Sequence, residues 1–290
     1  MFNITNKQCI SLAINKNSLT LVAKLNSNKG FVKNKEFKGS VHELIKDGGD
    51  AWEWVEQSIK SIKGYKGIPV QMALPDPELH FHIFSLDVLK KKDLDEFLLW
   101  TFCDLYHLSE AKYTLTSTYL GMKDGKHFIL GVVAELSIIE LFCEQFENKQ
   151  LPLSVIDASA MYRFNFIAPH INAECGTSIH FDADYWSIIN WHDDAMLNDI
   201  RSKWFAGRLV EETGWGGVHA EFERMSRVFK MQGNDKLSKI FLSGIIPVGY
   251  EAWLKANTAF TVVNLMDKNT LGINLKDNSN FTGYCAAEKR

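Results

Sequence analysis

Short apolar runs separated by polar turns organise each half of the chain into a group of three strands. In each run the apolar residues are bounded by Asn, Asp, Lys or Gly, which is typical of strands joined by tight turns. The predicted strands of the two groups are residues 8–14, 18–25 and 31–37, and then 176–181, 185–191 and 196–204. The sequence therefore predicts two β-meanders, one in each half.

A helix and a further short strand are predicted after each meander. In the first half, Trp52, Val55, Ile59 and Ile62 recur at helical spacing, and a strand follows at 68–74. Asp50 and Glu53 have the spacing of a capping box at the start of that helix. In the second half the predicted elements are a helix at 218–231, a strand at 240–242, a helix at 250–256, a strand at 260–263 and a closing helix at 281–289.

An additional group of elements interrupts the first half. The predicted elements are strands at 79–86, 112–120 and 126–134, a helix at 93–108 whose inner face is Leu94, Phe97, Leu98, Thr101 and Leu105, and a helix at 135–147. Asp124-Gly125 is the sequence of a two-residue hairpin turn. We interpret residues 75–125 as a small α/β subdomain inserted into the first domain.

The centre of the chain, residues 151–163, joins the two halves. Leu153, Val155 and Ile156 predict a short strand, and Asp157 is placed to cap the helix that follows. The expected organisation is a first domain over 1–152, a hinge, and a second domain over 153–290. The fold class is thus α/β, with mixed sheets in two related domains.

Composition and charge narrow the classes of function. The 290 residues are 46% apolar and 23% charged with a net charge of −3, as in ordinary globular proteins, and no basic block suggests a nucleic-acid surface. No apolar run has the length of a membrane span, and the N-terminus does not have the pattern of a signal peptide. The five scattered cysteines predict reduced thiols in a cytoplasmic protein.

Several segments in this order carry a resemblance to a known family. They are 70–75 with the strand at 80–86, then 151–163, 221–226, 239–244 and 281–290. The chain resembles the PilM-type proteins of type IV pilus assembly, and their relatives MshI of the mannose-sensitive-haemagglutinin pilus and the cytoplasmic domains of type II secretion L proteins. The resemblance implies the actin-like, ribonuclease-H-like fold.

In that fold three loops bind nucleotide, and this chain departs from the pattern in each. The matching positions hold Ala13 and Asn15, His180 and Asp182, and Gly244 followed by Ile245, where the fold carries two Asp-x-Gly turns and a Gly-Gly turn. Glycine is needed there for close approach of backbone N–H groups to phosphate, and unshielded carboxylates repel it. We therefore expect no cofactor, and ATP with Mg²⁺ only if the chain is an enzyme after all.

The resemblance implies a non-catalytic scaffold on the cytoplasmic side of the inner membrane, held there by partners. The expected partner is the N-terminal cytoplasmic tail of a single-span pilus or secretion protein, with an assembly ATPase nearby. The groove expected to receive the tail is lined by Leu79, Phe81, Ile83, Phe97 and Trp100. Two alternatives stay open. One is an actin-like ATPase or sugar kinase, with Asp182 or Asp184 as general base, and the other is an interaction protein unrelated to secretion.

Three other groups of residues have the composition of binding sites, and for each the sequence favours a structural role. An acidic cluster that would suit a hard metal ion fits solvated hairpin turns better; it comprises Asp182, Asp184, His192, Asp193 and Asp194. His80 and His82 lack a third zinc ligand nearby and fit an exposed strand. The glycine-rich residues 214–217 precede a helix but lack the lysine or serine of a phosphate loop.

Overall fold

A computed structural model of the chain describes residues 8–25, 31–37, 49–87, 93–170, 175–192, 196–205, 215–231, 238–267 and 281–288. The strands are β1 (Cys9–Ile14), β2 (Ser18–Lys24), β3 (Phe31–Glu36), β4 (Val70–Leu74), β5 (Leu79–Leu86), β6 (Tyr113–Lys123), β7 (Lys126–Glu135), β8 (Leu153–Ala158), β9 (Gly176–Phe181), β10 (Tyr185–Trp191), β11 (Leu197–Trp204), β12 (Lys239–Gly244) and β13 (Thr261–Asn264). The helices are α1 (Asp50–Lys60), α2 (Leu94–Tyr106), α3 (Leu136–Asn148), α4 (Ser159–Ile167), α5 (Gly216–Met231), α6 (Tyr250–Asn257) and α7 (Phe281–Glu288).

Two five-stranded sheets repeat one strand order. The first is ordered β3-β2-β1-β4-β8 and the second β11-β10-β9-β12-β13. In both, the meander is antiparallel and the last two strands are parallel to the first strand of the meander. The two predicted meanders are confirmed, and so is the expected mixed α/β class.

The chain divides into two compact units. One contains Met1–Pro75, Ser137–Phe166 and Asn280–Arg290, and the other contains Asp76–Leu136 and Ile167–Ser279. The three-stranded sheet β5-β7-β6, which holds most of the expected insertion, belongs to the second of these units. The division into sequence domains at residue 152 and the hinge stay predictions.

Helix α7 is held against the first sheet by a close approach of its backbone. The Ser11 hydroxyl donates a hydrogen bond to the carbonyl of Gly283. A Cβ atom at Gly283 would lie 3.0 Å from Cγ2 of Val22 and 3.2 Å from Cγ2 of Thr20. The guanidinium of the fully buried Arg163 also donates to the Thr282 hydroxyl at 3.2 Å. The small residues of α7 are therefore required by its distance from the sheet.

The first unit has a second cluster where α1 and α3 meet. Trp52 and Phe146, both buried, pack edge to face with ring centroids 5.1 Å apart. The predicted inner face of α1 is confirmed, because Trp52, Val55, Ile59 and Ile62 are all buried.

Both predicted N-caps are wrong. Asp50 is the first residue of α1, Gly49 occupies the N-cap, and no side chain caps the helix. Asp157 lies inside β8, since parallel pairing with β4 continues to the Leu74–Ala158 pair, and its carboxylate accepts a hydrogen bond from the N–H of Ala158. Tertiary strand pairing overrides the local capping signal here, and α4 begins only at Ser159.

The three-stranded sheet is covered on one face by α2. Its hairpin turn is confirmed, because Asp124 and Gly125 have φ values of 51° and 77°, as a type I′ turn requires. The predicted face of α2 is wrong in part: of its members only Leu98 is buried, and Phe97 and Leu105 are half exposed. The buried cluster beneath α2 consists of Phe84, Leu98, Phe102, Cys103, Leu115, Ile129 and Val133.

Some sequence-based expectations concern positions for which no structure is described. They are Asp193 and Asp194 of the acidic cluster and Gly214 of the glycine-rich segment.

We expect Gly283→Val to lower the free energy of unfolding by about 1–3 kcal/mol, because overpacking forces β1, β2 and α7 apart. Chemical denaturation followed by circular dichroism measures the change. Gly216→Ala is the matched control, since a Cβ atom there meets no atom within 4 Å and stability should stay equal or rise. Equal stability of Gly283→Val and the parent protein would refute the close approach.

Candidate functional site

The first expected nucleotide loop is a tight turn that uses its own polar groups. The backbone N–H of Asn15 donates to the carbonyl of Ser18 at 2.9 Å, and its side-chain amide lies 3.4 Å from the Ser18 hydroxyl. Asn15 is buried, and Ala13 is a buried strand residue that contacts the position of Gly283. The side-chain amide of Asn15 is therefore part of the turn itself.

The second expected loop is closed by the carboxylate of Asp182. The backbone N–H of Asp182 donates to the carbonyl of Tyr185 at 2.8 Å, and Oδ1 of Asp182 accepts from the N–H of Ala183 at 2.7 Å. Its other oxygen lies 3.5 Å from Nε2 of His180, and both side chains are almost fully buried. The carboxylate thus serves the turn and the neighbouring histidine.

The third expected loop joins the second through a buried pair that the sequence did not reveal. Nδ1 of His180 lies 2.9 Å from the hydroxyl of Ser243, which is fully buried. The parallel register of β9 and β12 places these two residues side by side. If residues 176–181 and 239–244 are aligned as neighbouring parallel strands, His180 falls beside Ser243.

Ser243, His180 and Asp182 have the composition of a hydrolytic triad but lack its accessibility. A nucleophilic serine must reach a substrate carbonyl, and Ser243 has no exposed surface. The three side chains instead tie together the ends of β9 and β12, which is a structural role.

Gly244 ends β12 in a conformation that only glycine adopts without strain. Its φ is +80°, and a Cβ atom would lie 2.0 Å from the carbonyl oxygen of Phe181. That same oxygen accepts a hydrogen bond of 2.7 Å from the N–H of Ile245. Gly244 therefore meets a backbone requirement of the fold, and the branched Ile245 follows directly.

The residues of the expected partner groove lie on two different faces. Leu79, Phe81 and Ile83 point to the face of the three-stranded sheet opposite α2, because Phe84 and its alternating neighbours face the helix. Phe97 and Trp100 lie on α2 and are 50% and 53% exposed. The five residues do not form one continuous groove.

A cavity of about 230 Å³ in the second unit brings together the edge strands of two sheets. Strand β5 contributes Phe81 and Ile83 to its wall, and β11 contributes Asp199 and Arg201. The remaining lining residues are His82, Tyr106, Leu130, Asn198, Ile200 and Val228. The cavity therefore has one apolar wall and one polar, charged wall.

The charged wall is internally balanced. Nε of Arg201 donates to Asp199 at 3.0 Å. Burial raises the pKa of Asp199, and Arg201 and Arg224 oppose that increase. Burial lowers the pKa of His82, whose Nδ1 is 3.3 Å from the Tyr106 hydroxyl. A ligand would consequently meet a site of little net charge.

A second cavity, of about 600 Å³, lies along α1 and is lined by Trp52, Glu53, Glu56, Gln57, Lys60, Ser61 and Lys149. Glu56 contacts Lys60 at 2.5 Å and Lys149 at 3.1 Å, and hydrogen bonds from these two lysines lower the pKa of Glu56. The charge of Glu56 is therefore balanced by its ion pairs with Lys60 and Lys149.

The histidines of β5 and the glycine-rich segment, which the sequence also offered as candidate sites, have structural roles. The rings of His80 and His82 pack on Phe102, and burial lowers the pKa of each. Gly216 and Gly217 are the first residues of α5. Within the described residues, no three His, Cys, Asp or Glu side chains are grouped so as to hold a metal ion. No described helix is long and apolar enough to cross a membrane.

Comparison with solved structures gives the fold its name. A chain of the PilM–PilN type IV pilus biogenesis complex superposes with a TM-score of 0.69 at 13% identity, over 98% of both chains. The chain has the actin-like fold. A Bacteroides thetaiotaomicron protein with an actin-like ATPase fold and unknown function gives a TM-score of 0.57 at 10% identity, again over 98% of both chains.

The expected likeness to the type II secretion L proteins is also confirmed at the level of the actin-like fold. The cytoplasmic domain of EpsL from Vibrio cholerae superposes with a TM-score of 0.52 at 8% identity, over 83% of this chain and 84% of that one. No protein-family model matches the sequence, and no curated protein matches it.

We expect Arg201→Gln to raise the pKa of Asp199 further, because it removes the main group that opposes the effect of burial. Folding then favours the protonated carboxyl more strongly, so stability should decline more steeply as pH rises from the ordinary aspartate pKa through the raised one. Titration of the carboxyl carbon by NMR measures the shift. Lys203→Gln, on the same strand, is the control, and equal effects of both variants would contradict the Asp199–Arg201 pair.

Proposed function

We propose that this chain is a non-catalytic actin-like scaffold of the inner-membrane assembly platform of a type IV pilus, MSHA-like, or of a type II secretion system. The observation that carries the proposal is the superposition on the PilM–PilN complex over nearly the full length of both chains. The likeness to the cytoplasmic domain of EpsL, described as an inner-membrane component of type II secretion, agrees with it.

In this proposal the chain lies on the cytoplasmic side of the inner membrane and is held there by its partners. Its main partner is the N-terminal cytoplasmic tail of a single-span pilus or secretion protein, and an assembly ATPase acts nearby. A scaffold of this kind acts by binding other proteins at its surface. The proposal therefore depends on whether the three loops can bind nucleotide and on where the partner's tail binds.

The loops support a role without nucleotide chemistry. In each expected loop the polar groups are engaged inside the protein: Asn15 with Ser18, Asp182 with Ala183, and His180 with Ser243. Phosphate binding requires backbone N–H groups that are free to point at the ligand. Binding here would require these internal hydrogen bonds to be replaced.

The cavity between β5 and β11 is the place we propose for the partner's tail. The two strands line the cavity from two sides, and apolar side chains of an extended peptide can enter such a pocket. Phe81 and Ile83 supply the apolar wall, and Tyr106 and Val228, both 46% exposed, extend it toward solvent. The cavity has room for one or two apolar side chains.

We expect the protein to bind ATP with Mg²⁺ very weakly or not at all. Isothermal titration at neutral pH should give no binding heat, and millimolar ATP should not shift the thermal midpoint. A ligand at about 100 times its dissociation constant adds about 2.7 kcal/mol of stability, so real binding would be detected. Tight binding of ATP would favour the alternative of an actin-like ATPase or sugar kinase.

We expect Phe81→Ala to weaken binding of the partner's tail, because it removes the largest apolar side chain from the cavity wall. Fluorescence anisotropy measures binding of a labelled peptide that covers the cytoplasmic N-terminus of the single-span pilus or secretion protein encoded next to this chain. The loss should be on the order of tenfold or more, as for a buried aromatic anchor.

Trp100→Ala is the matched control, since it removes an exposed aromatic residue of the same unit that lies outside the cavity. Circular dichroism must show both variants folded. Equal affinity of the two variants would place the tail elsewhere. A loss confined to Trp100→Ala would instead favour the exposed face of α2.

A further inference from the structure

Strand β6 is an edge strand without the usual protection against pairing. In the regions that the structure describes it pairs with β7 alone, and its outer side carries a row of backbone donors and acceptors. Natural edge strands are protected by charged residues, proline or short length. The first ten residues of β6 contain no charged residue and no proline.

The other described edge strands show such protection or have a neighbour. Strand β3 contains Lys33 and Lys35, β8 contains Asp157, and β11 contains Asp199 and Arg201. Strand β13 has only four residues, and β5 lies against β11. The open edge of β6 is therefore unusual within this molecule.

The sequence of β6 is nearly the same in both directions. Residues 113–119 are Tyr-Thr-Leu-Thr-Ser-Thr-Tyr, with Thr116 at the centre. The regular register with β7 is interrupted between Tyr119 and Gly121, so this stretch ends where the strand becomes irregular. A foreign peptide would not require this symmetry, whereas pairing of two identical strands does.

Antiparallel pairing of two copies about a two-fold axis through Thr116 would match like residues at every pair except Leu115 with Ser117. Tyr113 would lie opposite Tyr119, Thr114 opposite Thr118, and Thr116 opposite its own copy. Aromatic pairs and threonine pairs are both favourable across antiparallel strands. Thr116 and Thr118 are exposed, so their side chains can meet a second copy. Tyr119 is also exposed, and its hydroxyl lies 3.2 Å from Nδ1 of His127 in its own sheet.

On one face of β6 the side chains are held by α2. Ser117, on that face, donates a hydrogen bond to the carboxylate of Asp95, so its side chain is already held by the helix. Leu115 is buried under the same helix. Pairing at the edge would thus use backbone groups and the exposed threonines and tyrosines, and not Leu115 or Ser117.

We propose that two copies of this chain associate through β6 and form a continuous six-stranded sheet across a two-fold axis. Such an interface is self-complementary, as symmetric dimers require. A single pair of strands is small beside stable protein interfaces, so the dimer dissociates readily and depends on concentration. This association is independent of the proposed role in pilus or secretion assembly.

Sedimentation velocity over a wide range of protein concentrations tests the proposal. The unmodified chain should shift from monomer to dimer as concentration rises. Thr116→Lys should raise the dimer dissociation constant on the order of tenfold or more, because it places two like charges opposite each other at the two-fold axis. Val248→Lys, at a residue that is 98% exposed in another part of the same unit, is the control with the same charge change.

A charge exchange distinguishes loss of the interface from loss of folding. Thr116→Lys and Thr116→Glu should each be monomeric alone, and a mixture of the two should form a heterodimer, which a misfolded variant would not do. The proposal is overturned if the unmodified chain remains monomeric at millimolar concentration. It is equally overturned if Thr116→Lys dimerises like Val248→Lys, or if the mixed variants fail to associate.

Discussion

Parallel pairing beside the first strand of each meander is the constraint on which the rest of the structure depends. Strands β1 and β9 each have an antiparallel neighbour on one side and a parallel neighbour on the other. A parallel neighbour cannot be reached by a tight turn, so the chain must cross over, and the crossover segments contain α1 before β4 and α5 before β12. Strand β8 pairs in parallel with β4, and β13 pairs in parallel with β12. The crossover segments before them contain α3 and α6, respectively.

The same pairing decides what lies at the ends of the strands. In parallel neighbours the carboxyl ends meet at one edge, so Gly244 of β12 is beside Phe181 of β9. The two backbones approach so closely there that only glycine fits. Polar groups at this edge are buried and must find partners within the protein, which explains the His180–Ser243 pair. At this edge His180, Ser243 and Asp182 are therefore held by hydrogen bonds and close contacts within the protein.

With the polar groups engaged inside, the edges of the sheets are the features best suited to interaction. Strands β5 and β11 line one cavity in the second unit, and its apolar wall is provided by Phe81 and Ile83. Strand β6 presents the other edge of the three-stranded sheet. The proposed tail site and the proposed self-association thus use opposite edges of one small sheet, so both partners could bind the same molecule together.

The sequence by itself determined the elements and their order. The short apolar runs of the strands, the helical spacing of Trp52, Val55 and Ile59, and the Asp124-Gly125 turn are local signals, and each was confirmed. The resemblance to PilM-type proteins was likewise confirmed as a likeness of fold. Tertiary structure decided whatever depends on residues far apart in the chain. Pairing with β4 placed Asp157 in a strand, pairing of β9 with β12 joined His180 to Ser243, and packing on the sheet turned Phe97 outward. A local pattern cannot fix these features, because the free energy that selects them comes from contacts between distant segments.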